Sequence, residues 1–355
     1  MIILDNIIFE LQKVGGISRY WSGLIRQYLD NKIEIEYLEN INCKKNLYRK
    51  NLNINNITYE NTTPLILKRI LNSNKICEVF HSSYYRISKK ASRNIVTIHD
   101  MMNEQRLSSK KDLVLKYIKK RACKNASKII SVSNFTKNEI VKYYNFIDPS
   151  NIVVVHHGID EVFYPEVIYD EFYIKNLLLK PKEFFLYVGN RGYFKNFPYV
   201  ISFIQKSQNY GIQYPLVLVG ENLSQDELKF IKKNKLNLKK FIVIKNLDNS
   251  DLRKLYSNCF ALLIPSLYEG FGFTAAEAAR CKSIVISANN SALEEVVGKS
   301  KFSLSLKDKN EEFRILDNLN DTSLVLKEKQ RIYNHSLKFN WKNSAKKMLD
   351  IYYEN

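Results

Sequence analysis

Two carboxylates, Glu269 and Glu277, stand with seven residues between them in the segment EGFGFTAAE, shortly after the apolar run ALLIP. The small residues from Gly272 to Thr274 predict the opening of a helix, and Glu277 then lies about one turn inside it. A helix N-terminus offers backbone N–H groups and a partial positive charge, which together hold phosphate or polarised hydroxyls. Beside it, the two carboxylates act as acceptors for ribose or sugar hydroxyls. The same spacing also describes a helix start with stabilising acids in its first turn and no chemistry.

Three other stretches carry residues of the right types. In YVGNRGYFKNF a strand ends at Gly189 and is followed by Asn190, Arg191 and Lys195, which puts cations where a departing diphosphate would gather charge. Cations in exposed loops are also commonplace. In VGGISRY, Gly15 and Gly16 permit positive φ and close backbone approach to a ligand, or simply a tight turn. In VTIHD, His99 and Asp100 close a strand; a histidine there is either a satisfied structural group or a titratable contact, and Asp100 either orients it or touches an acceptor. No Asp-x-Asp pair occurs, so no divalent-metal clamp is indicated and no metal ligand is assigned.

These residues need a scaffold that delivers them to one end of a sheet. Short β-branched runs recur, each followed by a segment of helical period, which is the pattern of parallel sheets with crossover helices. Strands are expected at residues 2–5, 33–37, 78–81, 95–99, 129–132 and 152–156. After a lapse in the pattern around residues 160–175, a second series is expected at 184–188, 216–219, 241–244, 261–264, 284–287 and 302–306. The fold class is therefore α/β, with two Rossmann-like domains and a crevice between them. The expected division is 1–165 for an N-terminal domain, 166–335 for a C-terminal domain, and 336–355 for a helix returning to the first. A chain of 355 residues is too long for one ordinary core and suits two. In such sheets ligands sit beyond the carboxyl ends of the strands, where all four stretches fall.

Bulk properties narrow the class. Hydrophobic residues make up 45% and charged residues 26%, which excludes a disordered chain. Five scattered cysteines without C-x-x-C spacing suggest reduced, buried thiols rather than disulfides or a zinc cage. The opening MIILDNIIFE has no basic region ahead of its apolar residues, and no run of about eighteen uncharged apolar residues occurs anywhere. A cytoplasmic protein is expected. The net charge of +19 (55 cations minus 36 anions) implies an anionic neighbour. Its densest cluster, Lys116, Lys119, Lys120, Arg121, Lys124 and Lys128, shares a helix-like stretch with Leu113, Leu115, Tyr117 and Ile118. Such a helix either rests on acidic lipid at the inner face of the plasma membrane or is a solvated face.

EGFGFTAAEA resembles the E-x7-E element of the retaining GT-B glycosyltransferases, in particular family 4, in its Gly-Phe-Gly-apolar-Thr interior as well as its acids. The resemblance implies that the N-terminal domain binds acceptor and the C-terminal domain the nucleotide-sugar, that Glu269 contacts the donor sugar and that Glu277 holds the ribose hydroxyls. The backbone of Gly270, Phe271, Gly272, Phe273 and Thr274 then approaches the sugar and diphosphate. It further implies that Arg191 and Lys195 stabilise the leaving diphosphate in place of a metal, although Asn190 fills the usual arginine place and Arg191 stands one residue later. Gly15 and Gly16 match a loop facing the diphosphate and acceptor, His99 a histidine bonded to the transferred sugar, and Leu247 in LDNSDLRKLY a backbone contact to the nucleobase. SVSNFTKNEI and NIVVVHHGID match without obvious chemistry, His156 and His157 being structural. Where the family commonly has Gly-x-Pro after the E-x7-E helix, this chain has Cys281, Lys282 and Ser283.

The function so implied is retaining, metal-independent transfer of a hexosyl group from a nucleotide-diphosphate sugar to a glycan or lipid-linked acceptor, in O-antigen or other surface-polysaccharide synthesis. The donor is a substrate, and no cofactor is required. Two rivals remain at this stage. One is a GT-B sugar-nucleotide epimerase. The other is a basic, non-catalytic protein binding membrane or nucleic acid, which explains the charge but not two acids in the presumed crevice, so no nucleic-acid partner is expected.

Overall fold

Apolar β-branched runs such as IILD, FLYV, LVLV and ALLI become strands buried on both faces, as parallel sheets require. The computed structural model describes residues 1–61, 70–105, 110–308 and 310–354, and the chain divides into two units. One comprises Met1–Gly158 with Phe339–Asn355, the other Ile159–Lys338.

The first unit holds seven parallel strands, β1 (Ile2–Asp5), β2 (Glu36–Glu39), β3 (Ile57–Tyr59), β4 (Cys77–Ser82), β5 (Ala91–Ile98), β6 (Lys128–Ser131) and β7 (Ile152–Val154), in the order β3-β2-β1-β4-β5-β6-β7. In the second, β8 (Phe172–Ile174) and β9 (Leu177–Leu179) form an antiparallel hairpin. A parallel sheet follows, made of β10 (Phe185–Val188), β11 (Leu216–Val219), β12 (Phe241–Ile244), β13 (Ala261–Ile264), β14 (Val285–Ala288) and β15 (Ser303–Leu304), in the order β12-β11-β10-β13-β14-β15. Strand order reverses between β1 and β4 and between β10 and β13. Chains leaving those strands diverge there and open a ligand crevice at their carboxyl ends.

Several boundaries depart from expectation for local reasons. β2 starts at Glu36 rather than residue 33, because Lys32 adopts φ 55° and Ile33 N–H donates to the Tyr28 carbonyl at 2.9 Å, closing the helix Gly16–Asp30. The β8–β9 hairpin falls where the pattern lapses; its turn uses Lys175 at φ 53° instead of the glycine that usually announces one. The first unit ends at Gly158 rather than 165, since residues 160–168 pack within the second. There Glu166 pairs with Arg253 at 2.6 Å, and Ile168 N–H donates to Asn258 Oδ1 at 3.0 Å. The return to the first unit comes at Phe339 rather than 336. Its helix, Trp341–Tyr353, packs on Gly16–Asp30. A Cβ at Gly23 would lie 2.5 Å from the Trp341 ring, and one at Gly158 would lie 2.4 Å from it, so only glycine fits at both.

The basic helix, Lys110–Lys124, departs from expectation in two residues: Lys128 lies outside it, opening β6 and pairing with Glu354 at 3.2 Å, and Lys119 is not on its surface. Lys119 turns inward, 2.9 Å from Glu104 Oε2 and 2.9 Å from the Asp100 carbonyl. Tyr144 donates to the other Glu104 oxygen at 2.6 Å. The triad closes the floor beneath the end of β5 and is no part of a surface.

Three histidines, His81, His99 and His157, are buried in this unit. Burial pushes His81 and His99 each down to about 3 from the ordinary 6.5, with His99 and Lys119 respectively as secondary charges, and holds His157 well below it. A histidine depressed in the folded state stays neutral there while the unfolded chain takes up its proton. Stability is therefore full above about pH 6.5 and falls as the pH drops towards 3. Between about pH 7.5 and about pH 5.5, His81 and His99 should each remove on the order of 1 kcal/mol from the first unit, with His157 adding in the same direction. Denaturant unfolding at the two values reads this out; equal stabilities would contradict neutral burial.

Candidate active site

The second unit's switch point brings together the loops that follow β10 and β13. After β10, Gly189 takes φ 126°, Asn190 Oδ1 accepts from Gly192 N–H at 3.2 Å, and a single 3₁₀ turn, Tyr193–Lys195, leads to Asn196 at φ 53°. The helix Phe197–Asn209 then begins with a proline in its first turn, where a missing N–H costs nothing. Two bonds lace this loop to the one after β13: Asn196 Nδ2 donates to the Pro265 carbonyl at 3.1 Å, and Leu267 N–H to the Phe194 carbonyl at 2.7 Å. Lys195 and Glu269 are thereby set side by side.

Lys195 Nζ lies 2.6 Å from Glu269 Oε1, and Ser266 Oγ donates to the same oxygen at 2.9 Å. The lysine side chain is 34% exposed and the glutamate 14%. A pair so placed is weakly stabilising at best, so both groups can exchange partners when a ligand arrives. Glu269 leads to Gly272, whose φ of 95° suits glycine, and a Cβ there would meet Leu293 at 2.7 Å. The helix Phe273–Arg280 follows with no side chain capping its start, and Phe271 and Phe273 brace one another at 5.7 Å. Glu277 lies one turn in, buried, and accepts a hydrogen bond from Tyr256 at 3.0 Å. Leu247, half-buried, precedes Asp248, which caps the helix Asn249–Asn258 by accepting from Asp251 N–H at 2.8 Å.

Arg191 does not join this group. Its Nε pairs with Glu227 at 2.7 Å, its terminal nitrogen donates to the carbonyls of Glu221 and Asn222, and its guanidinium lies over Phe197. Burial raises the Glu227 carboxyl, but the bond from Arg191 and the Ser224 amide outweigh it and hold it below the usual range. In this arrangement Arg191 fastens the loop after β11.

Gly15, Gly16 and His99 belong to the first unit. Gly15 has φ 171°, extended backbone rather than the positive φ expected, and a Cβ there would approach Gln12 Oε1 to 2.5 Å. Gly16 opens the helix Gly16–Asp30, again with no side-chain cap. His99 is 7% exposed at the end of β5, edge-on to Tyr20 at 5.1 Å, and neither ring nitrogen has a hydrogen-bond partner among the described residues. An imidazole kept neutral and unsatisfied costs the fold free energy that a hydroxyl-bearing ligand would return. Asp100 instead accepts from Met102 N–H at 3.1 Å, closing the turn after the strand. Sequence reasoning missed Ser266 and Tyr256. Tyr256 sits on a stripe with Leu252 and Leu255 that reads only as core.

A family profile described as Glycosyl transferases group 1 matches residues 170–332, and one described as Glycosyltransferase Family 4 matches residues 14–163. The chain belongs to the group 1, family 4 glycosyltransferases. Among relatives, an uncharacterized glycosyltransferase of Methanocaldococcus jannaschii is 25% identical over 96% of this chain and 95% of its own. The serotype-specific mannosyltransferase WbdA of Escherichia coli is 25% identical over 76% of this chain but 35% of its own, so the glycosyltransferase spans about a third of that protein. The O-antigen chain mannosyltransferase B of Escherichia coli is 23% identical over 77% and 74%. Among solved structures, sucrose-phosphate synthase from Thermosynechococcus elongatus has a TM-score of 0.73 at 16% identity, covering 99% of this chain and 98% of its own. Anabaena HepE in complex with UDP and glucose has 0.73 at 14%, covering 100% and 99%. The fold is GT-B, two units each with a parallel sheet.

Replacing Arg191 by alanine in this glycosyltransferase should lower the stability of the second unit by about 1–3 kcal/mol, the cost of leaving Glu227 and two carbonyls unpaired, while turnover stays within about tenfold of wild type. Chemical unfolding and initial rates measured together test it, and a loss of turnover at unchanged stability would place Arg191 in the chemistry.

Proposed function

We propose that this glycosyltransferase moves a hexosyl group from a nucleoside-diphosphate sugar to a glycan or lipid-linked acceptor, with retention and without a metal. The observation that carries the reading is the Lys195–Glu269 contact at the carboxyl ends of β10 and β13. In the structure the two neutralise one another. A donor supplies each with a better partner, its diphosphate for the lysine and its sugar hydroxyls for the glutamate. As the bond from the anomeric carbon to the diphosphate breaks, charge grows on the phosphate oxygens, and Lys195 with the uncapped start of Phe273–Arg280 stabilises it. The acceptor oxygen bonds to the same carbon from the face the diphosphate leaves, and its proton passes to the departing phosphate oxygen. Lys195 thus supplies charge that a divalent ion would otherwise bring. The mannosyltransferase relatives and the complex of HepE with UDP and glucose support a hexose, and the O-antigen relatives a surface polysaccharide.

The lipid-linked acceptor and a peripheral membrane contact belong to the same reading. On the helix Lys110–Lys124 the outward residues Leu113, Val114 and Tyr117 are 54%, 43% and 62% exposed, and Lys110, Lys120 and Lys124 are exposed around them. Apolar side chains ringed by lysines suit an acidic headgroup layer. No helix among the described residues is long and apolar enough to cross a membrane.

Lys195→Ala should cut turnover by about a hundredfold or more while donor affinity changes far less, since the charge it meets develops at the transition state. Activity should survive chelation of divalent ions. Equal losses in turnover and affinity, or abolition by chelator, would sink the mechanism. Proton magnetic resonance of the donor without acceptor separates transfer from epimerisation: a new sugar isomer appearing would favour the epimerase. Flotation should show binding to phosphatidylglycerol vesicles that declines with salt and is lost in a Leu113→Ser, Tyr117→Ser variant; wild-type protein left at the bottom of the gradient would remove the membrane contact.

A further inference from the structure

Glu277 and Tyr256 make a contact that the chemistry above does not use. Both are buried, at 2% and 0% exposure, and Tyr256 Oη lies 3.0 Å from Glu277 Oε2. An ionised carboxylate only accepts hydrogen bonds, so the phenol is the donor. A carboxylate removed from water is retained only where donors replace the water, and a bond to a charged group is worth more than a neutral one.

The donor is held firmly. Tyr256 rides on the helix Asn249–Asn258, which is fixed to the segment before β8 by several contacts. Arg253 Nε meets Glu166 Oε2 at 2.6 Å, its guanidinium covers the Tyr164 ring at 4.1 Å, and Asn258 Nδ2 donates to the Glu166 carbonyl at 2.8 Å. This helix packs against Phe273–Arg280, which carries Glu277. It also begins directly after Leu247, the candidate nucleobase contact. One anchored helix therefore serves the base at its start and the ribose carboxylate two turns later.

We propose that Tyr256 is a positioning residue whose hydroxyl fixes the Glu277 carboxylate to read the ribose 2′-hydroxyl, so that the donor is a ribonucleoside-diphosphate sugar and not a thymidine-diphosphate or other 2′-deoxy one. This rests on the reading in which Glu277 holds the ribose. A carboxylate so oriented, already out of water, loses a hydrogen bond when the 2′-hydroxyl is missing. Sites built to bind a hydroxyl reject the analogue lacking it more strongly than apolar pockets reject a surplus group.

Calorimetric titration of the full chain with UDP, 2′-deoxy-UDP, GDP and 2′-deoxy-GDP tests this, using whichever base binds. Wild-type protein should prefer the ribose form by about tenfold or more, on the scale of a hydrogen bond to a charged group. Tyr256→Phe should shrink that preference to about two- to threefold by weakening the ribose form alone. A purely structural tyrosine would instead weaken both forms equally, and that result overturns the proposal, as does no change in either. Glu277→Gln distinguishes the two layers. If it leaves ribose binding intact, the ribose reading fails and the proposal with it. If it abolishes the preference while Tyr256→Phe keeps it, the proposal alone fails. Should Tyr256→Phe not fold, ring-fluorinated tyrosine at position 256 keeps the shape and changes the acidity of the hydroxyl. Affinity for the ribose form should then follow that acidity while the deoxy form does not; parallel changes in both count against the role.

Discussion

Lys195 and Glu269 are far apart in sequence, and their 2.6 Å contact exists because β13 lies beside β10 in the sheet while β11 leaves on the other side. A parallel sheet brings together strands that are remote in the chain only if the intervening crossovers are packed helices. The second unit's core, built from residues such as Phe185, Phe203, Leu218, Leu263 and Ile286, provides that packing. What the core fixes is where strands end. The last few ångströms are set by two hydrogen bonds between irregular loops, from Asn196 to Pro265 and from Leu267 to Phe194.

The first unit uses buried charge to hold its strand ends. Arg86 bridges Asp5, at the end of β1, and Glu60, at 3.0 Å each, and Ser82 donates to the same aspartate at 2.7 Å. Glu39 accepts from Arg49 and from Asn6, and the latter also accepts from Trp21 at 2.6 Å. Buried ion pairs are poor sources of net stability, yet removing one partner costs several kcal/mol because a charge is stranded. Their value here is geometric, since they pin the loops around the β1–β4 switch point to one arrangement.

The sheets were legible because apolar β-branched runs of four residues admit few other interpretations; β1, β11, β12 and β13 were read to the residue. The three-residue edge strand β3 and the β8–β9 hairpin were not, since both are short and lack turn glycines. At the site, the spacing of Glu269 and Glu277 was informative, and resemblance to a family gave it meaning. Side-chain direction was hidden. Arg191 and Lys119 look like solvent-facing cations in one dimension, and only the positions of Glu227 and Glu104, each remote in sequence or across a turn, decide that they face inward. Tyr256 was invisible for the opposite reason, as a polar contact made by a residue whose spacing says core.

The glycines at 23 and 158 that admit the Trp341 ring bear on how the molecule is made. The helix that fills this notch is synthesised after the whole of the second unit, which is contiguous from Ile159 to Lys338 and has all its own parts before then. Domains tend to fold in the order of their synthesis, but here the earlier unit is completed by a helix made after the later one. Until the tail arrives, the groove between those two glycines stands open, an apolar surface that a nascent chain must keep from other partners.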